Sequence, residues 1–116
     1  MVRIRDNYYI QIVRFHCVDG DAQALADKIA RHIDDWISDC DGFVSANLHV
    51  SIDGKDLINY AQWRDKESFF AYKEHDNHTQ LRKDIDEISP SRADSDAFEL
   101  VAQKSIEDEF WSKSRI

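Results

Sequence analysis

Phe43-Val44-Ser45-Ala46-Asn47-Leu48-His49-Val50, then Ser51-Ile52-Asp53-Gly54-Lys55, then Asp56-Leu57-Ile58-Asn59-Tyr60-Ala61-Gln62-Trp63 is the stretch that decides the fold. The two octets are rich in β-branched, aromatic and aliphatic residues, and Asp53-Gly54 between them is a hairpin signal. They read as two antiparallel strands. Side chains alternate along a strand, so Leu57, Asn59, Ala61 and Trp63 share one face, and Ile58, Tyr60 and Gln62 share the other. Neither face is wholly polar, so both are expected to be at least partly covered.

Upstream, Tyr8 to Cys17 reads as a strand and Val18 to Asp21 as a turn, with Asp21 as a candidate helix N-cap. Between Ala22 and Ser38, Leu25, Ile29, Ile33, Trp36 and Ile37 recur at helical spacing, with the charges on the opposite side. Asp39 to Gly42 is a second turn. Downstream, Lys66 to Glu74 and Asn77 to Ile88 read as helical, the latter opening on a capping-box-like Asn77 and Gln80. Ser89-Pro90-Ser91 ends it. Ala97 to Ser105 reads as the last strand.

The order is β-α-β-β-α-β with a broken second helix. This is the α+β, ferredoxin-like split arrangement, with helices on one face of a four-stranded antiparallel sheet. Helices cover only one face, so a second subunit is expected on the other, giving a homodimer. We expect a single domain over residues 1–116, with a core of about 8–104 and a tail of 105–116. Phe110 and Trp111 of that tail are expected to pack on the partner.

A net charge of -8 and a pI near 4.9 argue against nucleic acid as a partner, since an acidic surface repels phosphate backbones. No apolar run reaches membrane-span length and the N-terminus lacks a signal-peptide core, so a cytoplasmic location is expected. Cys17 and Cys40 have no partners at metal-ligand spacing and read as reduced, mostly buried thiols. His75 and His78 are three residues apart, but the predicted helix break falls between them, and no metal site is expected. His16 and His49 sit on strands, on the faces assigned to the subunit interface. There is no phosphate-binding loop, dinucleotide glycine pattern or nucleophile elbow.

Asn59 and Trp63, four residues apart on one strand, point to the same face. An amide in an apolar layer needs a hydrogen-bond partner, which a backbone group or a bound guest can supply. Trp63 offers a flat wall and one donor, or simply fills the core. Arg82 borders the buried stripe of Leu81, Ile85 and Ile88. It either reaches over a pocket to favour an oxyanion or pairs on the surface with Asp86, four residues on. Residue types and spacing alone favour the backbone-bonded Asn59, the core Trp63 and the surface pairing of Arg82 with Asp86.

The run from Gly42 through Ser51, then Asp53-Gly54, then Asn59 to Trp63 resembles the signature of antibiotic biosynthesis monooxygenase domains. The resemblance covers roughly residues 8 to 104 and is most specific from Gly42 to Trp63. It implies a dimeric α/β barrel, with a pocket between each sheet and its own helices. It also implies a cofactor-independent monooxygenase, using molecular oxygen without metal or flavin, that oxidises a small phenolic or polycyclic aromatic substrate in the anthrone-to-quinone manner. Asn59, Trp63 and Arg82 match the family's site residues. On this reading Asn59 hydrogen-bonds a substrate oxygen, Trp63 stacks on or bonds the substrate, and Arg82 stabilises negative charge. Val13, Phe15, Leu48 and Phe69 shape the apolar pocket.

The family's pocket tyrosines are replaced by Leu48 and Phe69, and Tyr72 is the nearby phenol that could stand in. The heme-degrading branch fits less well: its first-strand Asn falls at Val13, and its ligand His falls at about Arg82. Two other readings remain. One is a non-catalytic dimeric binding module for a small aromatic ligand, favoured by the missing tyrosines. The other is a quinol or signal-metabolite oxygenase outside antibiotic synthesis.

Overall fold

The computed structural model describes residues 8–18, 20–89, 93–104, 106 and 112–113. Strand β1 (Tyr9–His16) is followed by helix α1 (Asp21–Asp35), strands β2 (Phe43–Val50) and β3 (Asp56–Trp63), and helices α2 (Lys66–Lys73) and α3 (His78–Ile88). Strand β4 (Ala93–Phe98) and the short pair β5 (Ala102–Gln103) and β6 (Ser112–Lys113) complete the chain. The main sheet is antiparallel throughout, in the order β2-β3-β1-β4. This is the expected α+β, ferredoxin-like arrangement.

The hairpin forms where the sequence places it. Gly54 N–H donates to the Ser51 carbonyl at 2.8 Å, and Gly54 takes φ +77°, a region that suits glycine. The Asp53 carboxylate closes the loop, accepting from the Ser51 hydroxyl and the Lys55 N–H.

Between the sheet and the helices lies the core. Ala22, Leu25, Ala26 and Ile29 of α1 pack with Leu57, Ala61 and Trp63 of β3 and Leu81 of α3. Leu25 and Leu57 are fully buried, and each such side chain contributes about 1.5–3 kcal/mol of burial. Trp36 and Ile37 extend this core beyond the end of α1, where the chain tightens into a 3-10 turn at Ile37–Asp39. Across the helix layer, the His32 and Asp84 side chains meet at 2.7 Å, tying α1 to α3, and the Trp36 indole N–H donates to His32 Nδ1 at 2.8 Å.

Several boundaries differ from expectation. Gly20, in the left-handed region, caps α1, and Asp21 is instead the first helical residue, where its charge favours the helix dipole. The capping box at Asn77 does not form. Asn77 has helical angles and makes no side-chain cap bond, while Gln80 donates to Asp84 one turn on. Asp65 caps α2, accepting from the Ser68 N–H at 2.8 Å. The fourth strand starts at Ala93, not Ala97, and ends at Phe98; Ala102–Gln103 belongs to the separate β5–β6 ribbon. Phe110 and Trp111 lie outside the described residues.

Candidate active site

Strand register brings the first components together. Val13 of β1 lies opposite Asn59, Gln11 opposite Ala61 and Phe15 opposite Leu57, all on the helix-covered face. Ile29 and Ile33 of α1, Phe69 and Tyr72 of α2, and Leu81 and Ile85 of α3 close over them. The result is an inner chamber of about 80 Å³ against Asn59 and Trp63. It continues into a more open outer chamber of about 280 Å³ that reaches Lys73, His78, Arg82 and Asp86. Val13, Phe15, Phe69 and Tyr72 line both. The outer volume alone lies just below the range of about 300–1,000 Å³ seen for ligand pockets.

The Asn59 side-chain oxygen is buried in this apolar setting and has no hydrogen-bond partner. Leaving such an acceptor unsatisfied costs about 1–3 kcal/mol. Trp63 is 2% exposed, so it is both core and chamber wall. Tyr72 stacks on it at 4.9 Å, and Phe43 and Phe69 meet it edge-on. Burial pushes the Tyr72 phenol up to about 12, so it remains a protonated donor at neutral pH.

At the outer end, the imidazole of His78 meets the Tyr72 ring edge-on, with centroids 5.1 Å apart. Burial, then the positive charges of Arg82 and Lys73, hold His78 below its ordinary value. Arg82 is exposed on the chamber rim, and no ion pair joins it to Asp86 among the described residues. Its surface-pair alternative is therefore not what the structure forms.

Of the residues anticipated from sequence, Asn59, Trp63, Val13, Phe15, Phe69 and Tyr72 meet in the inner chamber, while Arg82 joins only the outer one. Leu48 is the cross-strand partner of Asn59 and packs on the core, but lines neither chamber. Gln11 was missed, and His78 was weighed only as a metal ligand. Gln11 lines both chambers and its amide donates to the Ser95 hydroxyl. An amide in the row Tyr9, Gln11, Val13, Phe15 was the available signal. His78 stands four residues before Arg82 on α3, a spacing that places both on one helix face. Among the described residues no cluster of three or more His, Cys, Asp or Glu could hold a metal ion. No described helix is long and apolar enough to cross a membrane.

Comparisons with known proteins agree with this architecture. A monooxygenase from the ActVA-Orf6 gene of Streptomyces coelicolor, solved with nanaomycin D, superposes with a TM-score of 0.75 at 20% identity, over 90% of this chain and 95% of that one. SnoaB of Streptomyces nogalater, a cofactor-independent oxygenase, gives 0.71 at 17% identity, over 88% and 99%. In sequence, tetracenomycin-F1 monooxygenase of Streptomyces glaucescens is 45% identical over 47 residues, which are 40% of this chain and 42% of that protein. The match thus spans less than half of that relative. The model of the antibiotic biosynthesis monooxygenase family matches residues 8–84, more than half of the chain, and the protein belongs to that family.

Proposed function

We propose that the protein is a cofactor-independent monooxygenase that oxidises a small phenolic, polycyclic aromatic substrate with molecular oxygen. The observation that carries this reading is the buried, unpartnered Asn59 oxygen in a mostly apolar chamber. A phenolic O–H reaching in from the outer chamber would supply the missing donor, with the planar ring system against Phe15, Phe69 and Tyr72, which line both chambers. Arg82 at the rim favours the anion formed when the substrate loses a proton. The chemistry is then the substrate's own. Its carbanion or enolate gives one electron to oxygen, and the two radicals combine at carbon. The peroxide anion so formed takes up the proton the substrate lost, and loss of water from the hydroperoxide leaves a carbonyl. The protein binds, orients and stabilises the anion.

The test is oxygen uptake by metal-free protein with the anthrone dithranol. Turnover is expected, with a loss of about 10²-fold or more in an Asn59→Ala, Trp63→Phe double variant. Unchanged turnover in that variant would overturn the assignment. The second reading is a binding module on the same fold. Phe69 in place of a pocket phenol, and a Tyr72 hydroxyl held protonated, favour it. Trp fluorescence quenching by dithranol without oxygen consumption would decide for it.

We further propose that the functional form is a homodimer. The sheet face away from the helices carries half-buried Ile12, Ile58 and Tyr60. It also holds Gln62, which is 2% exposed and has an unpartnered side-chain oxygen.

A further inference from the structure

We propose that His78 is the proton acceptor of this site. Its imidazole takes the proton of the substrate hydroxyl that lies in the outer chamber, a different one from the hydroxyl that donates to Asn59, while Arg82 and Lys73 face the oxyanion left behind. The inference rests on the oxygenase reading and supplies the step that reading lacks, the removal of the first proton.

Geometry selects the residue. His78 opens α3, one helical turn before Arg82, and both line the outer chamber with Lys73 of α2. The edge-on contact with Tyr72 fixes one side of the imidazole ring. His78 lines the outer chamber, and no described residue hydrogen-bonds its ring nitrogens. The groups facing it are Tyr72 and Lys73 from α2 and Arg82 and Asp86 from α3. Opposite, β1 and β4 contribute Gln11 and Ser95, which are engaged with each other.

Chemistry excludes most of these as acceptors. Arg82 and Lys73 are cations, and Tyr72 holds its proton to about pH 12. Burial and the two cations keep His78 neutral at pH 7, which makes it a base there. The transfer balances within the site. The O–H bond of the substrate's phenolic (enol) tautomer breaks, a His78 N–H bond forms, and the electron pair is shared between that oxygen and the carbon that meets molecular oxygen. The cations that disfavour imidazolium favour that phenolate, and the half-exposed ring can then release the proton to water. The remaining acceptor in the chamber is the Asp86 carboxylate, so it enters the test.

The experiment is the pH dependence of dithranol oxidation, followed as kcat and KM across about pH 5 to 9. Wild type is expected to lose activity on acidification, with a midpoint below 6.5. His78→Ala and His78→Gln are each expected to lose about 10²-fold in kcat with KM little changed, and added imidazole should partly restore the Ala variant. Survival of the acid limb in both His78 variants, or its removal by Asp86→Asn instead, would overturn the proposal. A second readout needs no turnover. The visible spectrum of bound 1,8-dihydroxyanthraquinone reports its ionisation, which should begin at lower pH in wild type than in His78→Ala. Coincident titrations would overturn the role of His78. Absence of oxygen uptake by wild type with distinct titrations would overturn only the oxygenase reading.

Discussion

At the scale of single residues, Asn59 separates stability from function. A buried acceptor without a partner destabilises the folded chain, so replacing it with an apolar side chain of similar size removes a penalty. Asn59→Leu is expected to raise stability by about 1 kcal/mol, several degrees in Tm, while abolishing ligand binding. Thermal melts of the two proteins check this, and a lowered Tm would mean that Asn59 serves the core after all. Strand spacing already placed Asn59 beside Trp63, because alternation along β3 is a local property. It could not show that the amide oxygen lacks a partner, which depends on what α1, α2 and α3 bring over it. The same limit hid His78, whose place at the chamber follows from how α3 crosses the sheet.

Elements show where local pattern suffices. β2, β3 and α1 were legible because their apolar residues repeat at the period of the structure they form. β4 was not. Its sequence, Ala93-Asp94-Ser95-Asp96-Ala97-Phe98, holds one large apolar residue, and every position is exposed. It is an edge strand held by pairing with β1, while Phe98, Leu100 and Val101 drew the expected strand too far downstream. The turns between elements carry their own prediction. Gly42 and Gly54 both have positive φ, but a Cβ on Gly42 would lie 2.1 Å from the Ser68 hydroxyl, whereas nothing lies within 4 Å of one on Gly54. Ser68 cannot yield easily, since it is buried, donates to Asp65 and accepts from Arg64. Gly54→Ala should therefore cost about 1 kcal/mol of backbone strain. Gly42→Ala should cost that plus about 1–3 kcal/mol of overpacking. Equal losses in urea unfolding would refute the difference.

For the whole molecule, the question is whether the site needs the partner. The two sheet faces are chemically distinct: Asn59 and Trp63 look into the chamber, while Ile58 and Tyr60 look away from it. Burial already raises the Tyr60 phenol, as expected of a ring lying on a partly covered sheet surface. The described chamber walls come from one chain's β1, β2, β3, α1, α2 and α3, with β4 at the outer chamber. A dimer built on the opposite face therefore supports the sheet without completing the chamber. Ile58→Asp places a charge in the middle of that face, where an interface would desolvate it without a counterion. Analytical ultracentrifugation should show a dimer for wild type and a monomer for this variant at equal concentration. High salt should favour the dimer, because each protomer carries a net charge of -8 and screening weakens their repulsion. Dithranol affinity, measured by Trp fluorescence, should change by less than about threefold in the monomer, under 1 kcal/mol. A wild type that stays monomeric would refute the dimer. A monomeric variant that has lost binding while retaining its fold by circular dichroism would show instead that the second subunit reaches the site.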